Sequence, residues 1–319
     1  MPVHIALSQP LAEQYRPAVL TIVPDAEITF EPTPDTTILF ADRCPLPMPR
    51  LRWLQLGSHG YGQLSGDLLI SDPVVTNASG VQDKPIAEWC VMMLLALSRD
   101  LPSMLSAQRS HRWDRNPVFQ RELAGRRVGI LGFGNIGREV ARHCTALGLE
   151  VWVMTRGGIH DRGLRYDPFN RGAEPPPVDR SFTMTEQAEF YAPLDALIVT
   201  TPLTPQTRNL IDAKALSQLP RGALLLNPAR AGVIEEQALI EALTSGRLAG
   251  AALDDHYRQP MPPDDPFWTL PNTIVTSHIS GSSQSPHYVP RIWDLFLTNL
   301  RRYVAGDPLL NAIARTDIA

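Results

Sequence analysis

Arg127-Val128-Gly129-Ile130-Leu131-Gly132-Phe133-Gly134-Asn135-Ile136-Gly137 is the stretch that decides the fold. A short apolar run breaks into Gly-x-Gly-x-x-Gly and continues as Arg138-Glu139-Val140-Ala141-Arg142-His143, so strand, tight turn and helix follow in order. Gly132 permits the turn, Gly134 lets the backbone approach a pyrophosphate, and Gly137 lets the helix pack close on the strand. Asn135 and Ile136, between the last two glycines, open a helix whose first N–H groups and positive dipole end suit phosphate. The spacing predicts a dinucleotide site in the middle of the chain.

Outward from that turn the pattern is doubly wound. Strands are expected at 127–131, 150–155, 195–200, 223–227, 249–253 and 273–277, with helices at 135–147, 213–218 and 235–245, the last stopped by Gly246. Such alternation implies a parallel sheet with helices on both faces. Between Arg156 and Tyr191 a Gly, Pro and Arg-rich stretch containing Ala173-Glu174-Pro175-Pro176-Pro177 reads as a long surface insertion, placed at 157–190. Upstream, strand-like runs at 3–7, 37–40, 52–56, and at 68–70 with 74–76 form an α/β pattern of their own. Ile86 to Leu97 is apolar nearly all round, so the helix it predicts must be covered on most sides. Trp89 and Met92 are the candidates for a surface shared with a second copy. A terminal helix over 291–303 is expected to return to the first domain.

With 319 residues, 44% hydrophobic and 19% charged, the chain can bury a sizeable core in two domains. A net charge of −4 argues against the broad basic surface that nucleic acid or an anionic membrane requires, and points to small-molecule partners. Cys44, Cys90 and Cys144 are widely spaced in apolar or helical settings, a pattern for neither a disulfide framework nor a metal site, and one that fits a reducing cytoplasm. Met1 to Ser8 lacks the pattern of a signal peptide. The 86–97 run contains Glu88 and is too short to span a bilayer.

Four more segments follow the glycine turn in order: Thr201-Pro202-Leu203-Thr204-Pro205-Gln206-Thr207-Arg208, Leu226-Asn227-Pro228-Ala229-Arg230-Ala231-Gly232, Gly250-Ala251-Ala252-Leu253-Asp254, and Thr276-Ser277-His278-Ile279-Ser280-Gly281. With them the chain resembles the D-isomer-specific 2-hydroxyacid dehydrogenase family over essentially its whole length, most nearly its glyoxylate and hydroxypyruvate reductases. The resemblance implies an α/β protein of two doubly wound, Rossmann- and flavodoxin-like domains. The nucleotide-binding domain (101–286) would be inserted into a substrate domain (1–100 plus 287–319), with the active site in the cleft between them and a homodimer as the assembly. It assigns Arg230 to the substrate carboxylate and carbonyl, and His278 to the proton that accompanies hydride transfer. The chemistry needs both, since reducing a 2-oxo acid puts charge on an oxygen beside an existing carboxylate. It also places Pro202, Thr207, Asp254, Ser280 and Gly281 at the cofactor, Asp254 on the nicotinamide carboxamide. Backbone N–H groups of Ser58, His59 and Gly60 would hold the substrate carboxylate.

The chain departs from the family pattern twice. Where the family has a Glu before a proline, its charge supporting the protonated histidine, this chain has Gln259-Pro260. A neutral amide can orient the His278 ring but brings no charge to it, unless another carboxylate, for example Asp255, supplies one. Formate dehydrogenases of the same superfamily carry a Gln there and need no proton transfer, so a formate enzyme is the alternative, although their Asn-containing segment is replaced here by Val81-Gln82-Asp83-Lys84. A nicotinamide-sensing, corepressor-like binding protein is the alternative from another class. The second departure is at the end of the second strand, where Thr155-Arg156 stands in place of the acidic residue that binds a ribose 2′-OH. A hydroxyl and a guanidinium suit a 2′-phosphate and favour NADP over NAD.

Overall fold

The computed structural model describes residues 3–64, 69–115, 121–159, 164–169 and 178–318. The chain packs as two units, one made of 1–82, 161–172 and 282–319, the other of 83–160 and 173–281. The second is inserted into the first, and the helix-bearing stretch 83–100, expected in the outer domain, belongs to the inserted one.

In the first unit, β1 (His4–Leu7), β2 (Glu27–Thr29), β3 (Ile38–Phe40), β4 (Trp53–Gln55) and β5 (Val74–Thr76) form an all-parallel sheet in the order β2-β1-β3-β4-β5. This is the flavodoxin-like winding. Helix α1 (Ala12–Ile22) and a long C-terminal helix pack on one face, where Trp293 stacks on Tyr15 and meets Phe40 edge-on. The 68–70 strand is not formed as expected: Leu68 lies outside the described residues, and Ile70 sits in a turn.

In the second unit, α2 (Asp83–Ser98) and α3 (Leu101–Arg109) precede the glycine turn. Then follow β6 (Arg127–Leu131), α4 (Asn135–Ala146), β7 (Glu150–Thr155), β8 (Arg180–Thr183), α5 (Gln187–Tyr191), β9 (Ala196–Val199), α6 (Ala213–Gln218), β10 (Ala223–Asn227), α7 (Glu236–Thr244), β11 (Leu248–Leu253) and β12 (Thr273–Val275). The seven strands are parallel in the order β12-β11-β10-β9-β6-β7-β8. Strand order therefore reverses between β6 and β9, and in such sheets ligands bind beside that reversal, at the carboxyl ends of the strands. The inner strands β6, β7, β9, β10 and β11 are buried on both faces, by α5, α6 and α7 on one side and by α2 and α4 on the other, which is why they read as continuous apolar runs.

Two expectations change here. The region after Arg156 is not wholly a surface insertion, because β8 adds the edge strand of the sheet and α5 contributes Phe190 and Tyr191 to its core. A piece of it, 164–169, belongs instead to the first unit, where Tyr166 is buried, its hydroxyl donating to Asp294 Oδ2 at 2.7 Å. Trp89 is also buried, in the core that α2 shares with α4, while Met92 on the same helix is exposed. Helix α8 (Tyr288–Ala305) is the expected terminal helix, extended at both ends and closed by Gly306 in the left-handed conformation that glycine adopts without strain.

Candidate active site

The turn after β6 is built for close approach. Gly132 has φ +93, and a Cβ there would lie 2.9 Å from the backbone nitrogen of Thr201. A Cβ on Gly137 would press on the Gly132 carbonyl oxygen and lie 2.9 Å from Thr200 Oγ1, which itself donates to that carbonyl at 2.7 Å. No side chain larger than hydrogen fits at either place. Gly134 is the N-cap of α4, in extended backbone, so no capping side chain covers the first turn carrying Asn135 and Ile136. The described geometry thus fits the pyrophosphate cradle read from the sequence. At the end of the neighbouring strand β7, Thr155 Oγ1 donates to the Gly158 carbonyl at 2.7 Å, and Arg156 is exposed.

After β9, the turn through Pro202 is stapled by one hydroxyl: Thr207 Oγ1 accepts from Thr204 N and donates to the Pro202 carbonyl, both at 2.7 Å. After β10, buried Asn227 shapes the next loop by accepting from Ala229 N and donating to the Arg230 carbonyl, each at 3.0 Å. Arg230 is half-buried and rests its Nη1 on the Ala229 carbonyl at 2.7 Å.

The end of β11 carries two adjacent carboxylates with different tasks. Asp254 is fully buried and accepts from Ile279 N and Ser280 N, both at 2.9 Å, and from Thr276 Oγ1 at 2.5 Å. Its own carbonyl accepts from His278 N at 2.8 Å. Asp254 thus holds the 276–280 loop in place. That loop needs holding, because His278 sits at φ +56, where side chains other than glycine are uncommon. Asp255 is also buried, and its Oδ2 accepts from Ala231 N at 2.8 Å, while its Oδ1 lies 3.3 Å from His278 Nδ1 and accepts from Gln259 Nε2 at 2.5 Å. Gln259 Oε1 stands 3.4 Å from the same ring nitrogen. The segment between is braced by Tyr257, whose hydroxyl donates to the Ile234 carbonyl at 2.9 Å, and by Arg258, paired with Asp265 and Glu236.

Gln259, His278 and the backbone of the loop that carries Arg230 thus converge on Asp255, at the carboxyl ends of β10, β11 and β12. Ser58, His59 and Gly60 belong to the first unit. There the loop is pinned by its carbonyls, Asn77 Nδ2 donating to the His59 oxygen at 2.8 Å and Tyr288 to the Gly57 oxygen at 3.0 Å. The Ser58 hydroxyl donates to the Gly60 carbonyl at 2.9 Å. Among the described residues no group of three or more His, Cys, Asp or Glu side chains is placed to hold a metal ion.

Residues 91–280 match the family described as "D-isomer specific 2-hydroxyacid dehydrogenase, NAD binding domain". The chain belongs to that family. Within it, the chain is 29% identical over 240 residues to the D-3-phosphoglycerate dehydrogenase of Archaeoglobus fulgidus, covering 75% of this chain but 42% of that protein. It thus spans less than half the length of that relative. The hydroxypyruvate reductase of Blautia hydrogenotrophica is 24% identical over 302 residues, covering 91% of this chain and 88% of the reductase. A family member from Xanthobacter autotrophicus Py2, solved in complex with NADPH and MES, superposes with a TM-score of 0.78 at 26% identity, covering 98% of both chains.

Proposed function

We propose that the protein reduces a small 2-oxo acid, of the glyoxylate or hydroxypyruvate type, to its D-2-hydroxy acid with NADP preferred over NAD. The observation that carries this reading is the convergence of Gln259, His278 and the backbone of the Arg230 loop, through Ala231 N, on one buried carboxylate at the strand ends of the sheet that carries the glycine turn. The bound nicotinamide cofactor supplies the hydride. Gly132, Gly134, Asn135, Ile136 and Gly137 cradle its pyrophosphate, Thr155 and Arg156 read its ribose phosphate, and Pro202, Thr207, Ser280 and Gly281 contact its other end, with Asp254 bracing the 276–280 loop.

Arg230 offers forked donors to the substrate carboxylate and to the carbonyl oxygen on which charge develops, a geometry that a lysine cannot supply. Backbone N–H groups of Ser58, His59 and Gly60 are further donors suited to a carboxylate. His278, with Nδ1 turned to Asp255 and Gln259, keeps Nε2 for the substrate; the Nε2–H bond breaks as the O–H bond of the product forms. Gln259 positions the ring. Formate oxidation needs no proton, and it would leave the carboxylate beside His278 without a catalytic task. The apolar side chains of Met92, Leu95, Leu101, Met104 and Leu105 are exposed on α2 and α3 and supply the surface for a homodimer.

The test is a turnover assay of the purified chain with a panel of 2-oxo acids, and with formate, each run with both cofactors. Reduction of glyoxylate or hydroxypyruvate, faster with NADPH, is the expected result. Turnover of formate alone would make it a formate enzyme, and tight cofactor binding with no turnover on any substrate would make it a sensor.

A further inference from the structure

The family pattern places the carboxylate that supports the catalytic histidine just before a proline, and this chain has the neutral Gln259 there. The geometry points to Asp255, four residues earlier, as the carboxylate that supports His278 in this chain and couples it to the Arg230 loop. This deepens the proposed reduction of a 2-oxo acid and rests on that reading for its catalytic meaning.

Three observations carry it. Asp255 Oδ1 lies 3.3 Å from His278 Nδ1, and its side chain is 9% exposed against 45% for the histidine, so the negative charge sits on the sheltered side of the ring. Gln259 joins the two, donating from Nε2 to Asp255 and turning Oε1 toward Nδ1, so the amide extends the carboxylate rather than replacing it. The other carboxylate oxygen accepts from Ala231 N, which follows Arg230 directly, so one buried group holds both the His278 ring and the backbone of the Arg230 loop.

Among the described residues, the charged groups of the segments that carry Asp255, His278 and Arg230 have partners of their own. The Asp254 carboxylate is taken by Thr276 and two backbone N–H groups of the histidine loop. His256 meets the Thr276 carbonyl at 2.7 Å, and Arg258 is paired with Asp265 and Glu236. The Arg230 guanidinium rests on the Ala229 carbonyl. A carboxylate can only accept, so the hydrogen of the neutral ring belongs on Nδ1, which leaves Nε2 to gain and lose the transferred proton. Asp255 is a positioning and charge-supporting residue, since it reaches the reacting atoms only through His278.

Nitrogen-15 NMR of the full chain labelled at histidine, with His278→Gln for assignment, reads this coupling without turnover. In the parent protein at high pH the neutral His278 ring is expected to carry its hydrogen on Nδ1; the opposite tautomer overturns the inference, and this reading needs no Asp255 variant to fold. Asp255→Asn keeps an acceptor for Ala231 N but removes the charge. It should reduce the share of neutral His278 ring that carries its hydrogen on Nδ1, move the alkaline fall of kcat/KM to lower pH, and lower kcat/KM near neutrality by about 10-fold to about 100-fold. Adding Gln259→Glu to that variant restores a carboxylate at the family's position and should return both the Nδ1–H form of the ring and most of the rate. An unchanged tautomer balance with superimposable pH profiles for parent and Asp255→Asn would reduce Asp255 to a brace for the Arg230 loop. If no 2-oxo acid is turned over while the NMR behaviour holds, the proposed reaction fails and the Asp255–His278 coupling stands.

Discussion

We propose that cofactor choice turns on Arg156. It is exposed at the end of β7, next to the strand that leads into the glycine turn, and the neighbouring Thr155 hydroxyl already donates to a backbone carbonyl. The Arg156 guanidinium is thus, among the described residues, a cation exposed at this strand end to meet a 2′-phosphate. Arg156→Ala is expected to weaken NADP binding by about 10-fold to about 150-fold, the worth of a hydrogen bond to a charged group, and to affect NAD much less. Fluorescence titration with both cofactors measures it. Equal losses would mean that Arg156 only stacks on adenine, and no loss for either would remove it from the site.

The segment that follows β11 shows how an element is held in place for chemistry. Arg258, beside Gln259, spans Asp265 and Glu236 at 2.7 and 2.6 Å, and the Asp265 side chain is 1% exposed. Burial pushes the Asp265 carboxyl up, but the hydrogen bonds from Arg258 and Phe267 N, with the Arg258 charge, outweigh it and leave the carboxyl below its ordinary value. A carboxyl lowered by folding contributes stability that is fully present above its unfolded value and is lost as pH falls through the lowered folded value. Asp265→Asn should therefore cost about 1–2 kcal/mol at pH 7, the partly exposed Arg258 limiting the sum through solvent screening. The gap in thermal midpoint between the two proteins should close as pH drops below about 4. A gap of the same size at pH 7 and pH 3 would show that the pair adds no pH-dependent stability.

For the whole molecule, the open question is how many copies assemble. Helix α2 turns Ile86, Ala87, Cys90, Met93, Leu94 and Leu97 into the core it shares with α4, which leaves Met92 53% and Leu95 41% exposed. Helix α3 adds Leu101, Met104 and Leu105, so two successive helices present apolar side chains to water, as surfaces shared between subunits do. Multi-angle light scattering at micromolar concentration is expected to find a dimer, and Met92→Asp combined with Leu105→Asp should shift it toward monomer without loss of helical circular dichroism. A monomeric parent protein would overturn the proposal.

What the sequence by itself determined is what depends on neighbours along the chain. The turn from Gly132 to Gly137, the alternation of apolar runs with helices, and Arg230 and His278 just past strand ends were all legible, because turn geometry, helix periodicity and strand burial leave local patterns. Short or irregular elements left weaker ones. Helix α1 carries Pro17 within it, β8 is four residues with only Phe182 buried, and α3 lies partly on the surface, so none shows a clean period. Trp89 and Met92 are three apart on one helix, yet only the packing of α2 against α4 tells which of them is covered. Asp255 beside Gln259 and His278 was decided by tertiary structure in the same way. A hydrogen bond or an ion pair belongs to two groups at once, and the 3.3 Å that joins Asp255 to His278 exists only when β11 and β12 lie side by side with the histidine loop folded over Asp254.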